Sequence, residues 1–156
     1  MIAKKYKHGA GVGVSKSPLV SFDKALLNAG VGNYNLVRLS SILPAHCEQV
    51  INGNIDIPEG SLLPVAYSTI SSNTYGDRLV STIGVGLPED EDKVGVIMEY
   101  STKNVDVEDA IDTLSGMITE AFEERGWKLK ETVVTRASDV VNDDRTHTTF
   151  ACIAEW

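Results

Sequence analysis

Apolar residues recur along the chain in two periods. From Val107 to Phe122 the residues Val107, Ala110, Ile111, Leu114, Met117, Ile118, Ala121 and Phe122 fall on one helical face. Asp106 is placed to cap the start of that helix and Gly126 its end, so its Met and Phe belong to a core and need no functional explanation. A shorter helix is predicted over Val20–Ala29, after the turn-like Ser17-Pro18, with Gly30 as its stop. Elsewhere the pattern is that of strands: an extended run from Asn33 to Leu43 that ends at Pro44, then Leu62–Ser72, Arg78–Leu87, Val94–Tyr100, Lys128–Thr135 and Thr148–Ala154. Segments rich in Gly, Asn, Asp and Pro separate these runs, and Asn142-Asp143-Asp144-Arg145 reads as a turn or loop. Strands this numerous with two helices bury their apolar positions best as an α+β fold. The expected form is a layered αββα sandwich of mostly antiparallel sheets with the helices on the outer faces.

At 156 residues, 42% of them apolar and 23% charged, the chain suits one domain, 1–156. No apolar run approaches the length of a membrane span, and Met1-Ile2-Ala3-Lys4-Lys5 is not followed by a signal core, so the expectation is a cytoplasmic protein with no membrane partner. The net charge of −8, with no cluster of Lys and Arg, disfavours nucleic acid and mildly favours a cationic small molecule. Cys47 and Cys152 read as two free thiols.

Several motifs fail on spacing. Gly9-Ala10-Gly11-Val12-Gly13 is G-x-G-x-G, and Ser17-Pro18 prevents a helix from starting where a dinucleotide pyrophosphate would need it; a close-packed or twisted strand is the better reading. Lys16-Ser17 lacks the preceding glycine of a phosphate-binding loop, since Ser15 stands there. His8, His46 and His147 are scattered, His46-Cys47 has no second ligand pair, and no G-x-S-x-G occurs, so neither a metal site nor a hydrolase triad is expected.

One long, ordered set of residues is informative. Ser21-Phe22-Asp23-Lys24-Ala25-Leu26-Leu27-Asn28-Ala29-Gly30, Gly32-Asn33-Tyr34-Asn35-Leu36-Val37-Arg38-Leu39-Ser40-Ser41-Ile42-Leu43-Pro44, Gly60-Ser61-Leu62-Leu63-Pro64-Val65-Ala66-Tyr67, Val94-Gly95-Val96-Ile97-Met98-Glu99-Tyr100 and Arg125-Gly126-Trp127 together resemble the pyruvoyl-dependent arginine decarboxylases. The resemblance covers most of the chain. Its weight lies in context, because a Ser-Ser pair recurs at Ser71-Ser72. Ala45 departs from the pattern, where the family often has a second proline, and leaves the turn after Pro44 less rigid.

The resemblance implies a proenzyme that cuts itself between Ser40 and Ser41 into 1–40 (the beta chain) and 41–156 (the alpha chain). The Ser41 hydroxyl attacks the Ser40 carbonyl to give an ester. Loss of the Ser41 Cα proton then expels the Ser40 carboxylate, and the dehydroalanine left behind hydrolyses to a pyruvoyl group with release of ammonia. Backbone strain at the scissile bond can supply about 1–3 kcal/mol toward ester formation, and Asn35 is implied as the oxyanion donor. The pyruvoyl ketone forms a Schiff base with L-arginine and takes the electrons released as carbon dioxide leaves, giving agmatine without pyridoxal phosphate or a metal. Glu99 is implied as the proton donor, a role for which burial would raise its pKa. Asp23 is implied as the guanidinium partner, through two parallel hydrogen bonds, and Leu19, Leu26 and Tyr34 are placed by position to wall the pocket. The family assembles as trimers with intersubunit active sites, so a homo-oligomer is expected, one trimer or a dimer of trimers.

Each of these residues also has an ordinary reading. Asp23 near a helix start is a favourable charge at the positive end of the dipole; Glu99 at a strand end is solvated; Asn35 bonds its own turn. Two other functions compete: a pyruvoyl decarboxylase of another amino acid such as histidine, and an unprocessed oligomeric small-molecule-binding or scaffold protein.

Overall fold

The computed structural model describes residues 2–156, so the part of the N-terminal reading that falls on Met1 lies outside the described residues. In chain order the elements are β1 (Lys5–Ser15), α1 (Pro18–Asn28), β2 (Asn35–Arg38), β3 (Ile42–Leu43), β4 (Glu48–Gln49), β5 (Leu62–Ser72), β6 (Arg78–Pro88), β7 (Gly95–Lys103), α2 (Val107–Arg125), β8 (Leu129–Val140) and β9 (Thr146–Glu155). They form two sheets, of order β2-β5-β9-β1-β4 and β3-β7-β6-β8. All pairings are antiparallel except β1 with β4 and β2 with β5.

Three apolar clusters mark the three interfaces of the expected αββα sandwich. Ala25, Leu63, Val65, Phe150 and Cys152 lie between α1 and the five-stranded sheet. Tyr6, Leu43, Ala66, Ile83, Ile97, Ala151 and Ile153 fill the space between the sheets. Val96, Leu114, Ile118 and Phe122 pack α2 on the four-stranded sheet. The alternation along β9 is the sequence-level cause: Phe150, Cys152 and Ala154 face α1, whereas Ala151 and Ile153 face the other sheet.

The glycines of β1 explain the motif set aside above. A Cβ at Gly9, Gly11 or Gly13 would fall onto the carbonyl oxygens of Ala29, Ala25 and Ser21 respectively, so the stripe exists to let the backbone of α1 lie directly on β1. The Ser21 hydroxyl completes the contact, donating to Gly13 O at 2.9 Å and sharing a hydrogen bond with Thr148 at 2.7 Å.

Four expectations are corrected. Helix α1 starts at Pro18, two residues early, because Ser17 is its N-cap and Pro18 occupies the first turn, where a missing N–H costs nothing. Asp106 is the N-cap residue of α2, but its side chain caps nothing and pairs with Arg78 instead. The Asn33–Leu43 run is two strands, broken where the chain changes sheets. Strand β8 continues to Val140, its Arg136 and Ser138 exposed on either side of buried Ala137. Gly126 does end α2, in the left-handed conformation with φ 63°. No helix among the described residues is long and apolar enough to cross a membrane.

Candidate active site

The break between β2 and β3 is the feature that organises the site. The Leu39 N–H still bonds Val65 O in the five-stranded sheet, at 3.0 Å, while the Ser41 carbonyl already accepts from Ile97 N–H of the four-stranded sheet, at 2.7 Å. The Ser40–Ser41 peptide therefore spans the step from one sheet to the other. Ser40 is exposed and Ser41 half-buried.

Around this crossing the sheets are tied by one side chain that sequence reasoning passed over. The Arg38 guanidinium donates to Tyr67 O on β5 at 3.4 Å, lies 4.5 Å from the centre of the Tyr67 ring, and donates to Glu99 Oε1 on β7 at 2.5 Å. Arg38 stood inside the quoted motif, but its partner is 61 residues away, and no local pattern signals such a pairing. Glu99 does not meet the expectation of a buried acid within a single chain: its side chain is 34% exposed. The cause is topological, since β3 pairs only with Gly95 and Val96 of β7 and leaves the rest of that edge open at Glu99.

Asn35 begins β2 and donates its side-chain N–H to Gly60 O at 2.7 Å. Four residues of extended chain, about 13 Å, separate it from Leu39, so one chain does not bring it to its own Ser40–Ser41 bond. Leu19, Asp23 and Leu26 stand at i, i+4 and i+7 on α1 and share a face. Asp23 lies in the middle of the helix, outside its first turn, which removes the dipole as its explanation. Its carboxylate is exposed and has no hydrogen-bond or ion-pair partner among the described residues, and Leu19 beside it is 76% exposed. Tyr34 packs against the cluster beneath α1, its hydroxyl near Ile55 O and Ile57 O at 3.4 and 3.5 Å. The α1 face lies on the outside of the five-stranded sheet, whereas the Ser40–Ser41 step leaves that sheet on the inside. Within one chain the α1 face and the Ser40–Ser41 step thus do not converge.

β2 and β3 anchor the two sides of the Ser40–Ser41 bond on different sheets. Behind the crossing is a pocket of about 430 Å³, walled by Leu39, Ile42, Pro44, Pro64 and Val94 and reached by the buried Glu155.

The family model for pyruvoyl-dependent arginine decarboxylase matches residues 5–155. The chain belongs to this family. It is 38% identical over 147 residues to the pyruvoyl-dependent arginine decarboxylase of Methanococcus vannielii, covering 94% of this chain and 87% of the relative. It is 44% identical over 128 residues to that of Pyrococcus abyssi, covering 80% of this chain and 78% of the relative. The family places the protein among the carboxy-lyases and gives its chemistry a pyruvoyl group.

Proposed function

We propose that the chain cleaves itself between Ser40 and Ser41 and then decarboxylates L-arginine to agmatine and carbon dioxide. The observation that carries this reading is the position of the scissile bond at the step between two sheets, in a chain of this family. Ser41 is tethered through its carbonyl to Ile97, which leaves its hydroxyl side free to turn toward the Ser40 carbonyl. The cut does not release the 1–40 fragment, because β1 lies inside the sheet with ten residues in register with β9, and α1 is packed on both strands.

A pyruvoyl group made from Ser41 supplies the electron sink that pyridoxal phosphate supplies in other decarboxylases. Asp23 receives the guanidinium, two parallel N–H donors meeting its two oxygens, while Leu19, Leu26 and Tyr34 contact the aliphatic stem. Because α1 and the crossing diverge within one chain, Asp23 serves the Ser41 of a neighbouring copy. A trimer, alone or stacked in pairs, provides such neighbours, and it lets Asn35 reach a partner's scissile bond as the oxyanion donor. Glu99, oriented by Arg38, takes up a proton and delivers it to the carbon that loses carbon dioxide.

The test is the mass of the denatured protein. Fragments 1–40 and 41–156 are expected, the second lighter by one ammonia than a hydrolysis product, and Ser41→Ala stays whole yet folded. Cleavage of Ser41→Ala at the same bond would refute the mechanism. Turnover of arginine beside histidine then fixes the substrate, arginine being the expected winner.

A further inference from the structure

Glu155 ends β9 on the face that looks between the sheets, opposite Tyr6 of β1. It is 4% exposed, and its Oε1 is buried with no hydrogen-bond partner among the described residues. A carboxyl oxygen left so costs about 1–3 kcal/mol, and packing alone gives no return for it, since an apolar side chain would fill the place. What Glu155 reaches is the pocket behind the crossing, whose walls include Leu39 and Ile42, the two residues that bracket Ser40-Ser41.

The groups facing it leave it alone as a proton acceptor. Burial raises the Cys47 thiol to about 11, helped by the charge of Glu155 itself. Burial likewise raises Tyr6, with Cys47 and Glu131 of β8 adding to the effect. Both therefore keep their protons at neutral pH. No Lys, Arg or His side chain bonds Glu155 among the described residues, and burial brings its own pKa up to about 7. Glu99, paired with Arg38, does not line this pocket, and the amide of Asn35 accepts no proton.

We infer that Glu155 is the proton acceptor in the maturation of Ser41, acting through water in the pocket; this rests on the self-cleavage proposed above. Two strand spacings, about 10 Å, separate β9 from β2, and the register sets Ala154 level with Arg38, short of Ser40–Ser41, so water must bridge the gap. The pocket has room for several molecules at about 30 Å³ each. In the step, the Cα–H bond of the Ser41 ester breaks and its electron pair forms the Cα–Cβ double bond. The Cβ–O bond breaks, the Ser40 carboxylate leaves, and the proton passes through water to Glu155. Pocket water then hydrolyses the dehydroalanine, and Glu155 returns its proton to the departing ammonia.

Chains made by cell-free synthesis and chased between about pH 5.5 and 8.5 test this. Wild-type cleavage should quicken as pH rises through about 7, and Glu155→Gln should cleave about a hundredfold more slowly, without that rise. Hydroxylamine should cut the uncut Glu155→Gln chain at the accumulated ester, releasing 41–156 with an ordinary serine amine, and Glu155→Asp should restore part of the pH dependence. Wild-type speed in Glu155→Gln, or a folded, uncut variant with no trappable ester, overturns the inference while leaving self-cleavage intact. Wild-type chains that stay whole at every pH overturn both. Should Glu155→Gln fail to fold by circular dichroism, the wild-type profile decides, and a flat one overturns the inference.

Discussion

Gly11→Ala tests the contact that sets the position of α1. Alanine is well tolerated by extended backbone and narrows the unfolded ensemble, which by itself would stabilise by about 0.4–1 kcal/mol. Against this stands a methyl that meets backbone on three sides: the Ala25 carbonyl oxygen, Ala29 N at 2.7 Å and Asn28 C at 3.0 Å. No rotamer change relieves a clash with backbone, so α1 must retreat, and a gap of about 1 Å already forfeits up to half of each dispersion contact it opens. Overpacking of this kind costs about 1–3 kcal/mol. The net expectation is a loss of about 1–2 kcal/mol, which for a chain of this length lowers Tm by about 2–8 °C. The same retreat moves Leu19, Asp23 and Leu26, so KM should rise while kcat holds. Differential scanning calorimetry and steady-state kinetics on the processed protein read both effects. A Tm equal to or above wild type would show that β1 and α1 are not in backbone contact, and the explanation of the glycine stripe would fail.

Asp23→Asn should raise KM for arginine by about tenfold to a hundredfold, the range expected for a charge-assisted pair of about 1.5–3 kcal/mol, and leave fragments 1–40 and 41–156 unchanged by mass. Asn35→Ala should slow cleavage, whereas Glu99→Gln should still cleave but turn over poorly; the same defect in both variants, read by gel and by carbon dioxide release, would undo the division of roles. His147 should give stability a pH dependence. Burial is the largest influence and opposes its charge, but Asp139 at 2.6 Å and Asp143 at 3.0 Å together outweigh it, so its pKa is raised in the folded state. Its contribution is therefore complete below the unfolded value of about 6.5 and is lost as pH rises through the folded value. Wild-type Tm should fall over that window more steeply than that of His147→Gln, and parallel curves would refute the assignment.

How far the sequence could be read depended on the range of the interaction involved. Helix α2 was legible because eight apolar residues keep one face over its length and Gly126 supplies a left-handed end, both local facts. β5 was legible to its bounds, because a run of apolar and β-branched residues lies between turn-forming segments. The break in Asn33–Leu43 was not, since Leu36, Val37, Leu39 and Ile42 look alike whether one sheet or two receives them. Only the partners, Val65 for Leu39 N–H and Val96 for Ile42, divide the run. The site divided the same way. Ser40, Ser41 and Asp23 came from an ordered resemblance, while Arg38 gained meaning only from Glu99 across the cleft. Glu155 lay outside the predicted Thr148–Ala154 strand, and the structure extends that strand to include it and sets it in the pocket beside the crossing.

The two-sheet anchoring bears on why a chain would carry its weak point there. A bond cut within a hydrogen-bonded strand leaves two ends sharing one ladder, free to fray from the same edge. At Ser40–Ser41 the ends belong to different ladders, β2 on β5 and β3 on β7, so each is held by pairing that the cut does not touch. Leu39, one residue before the bond, is held by Val65 and Ser41, the first residue after it, by Ile97, so a cut there would leave both of these bonds in place. What the proposed cut would free is the short span between the sheets, which has the Arg38–Glu99 pair and the Glu155 pocket beside it. Freedom gained on the proposed cleavage would then be confined to the atoms that have chemistry left to do, and the rest of the fold would keep the geometry of the uncut chain.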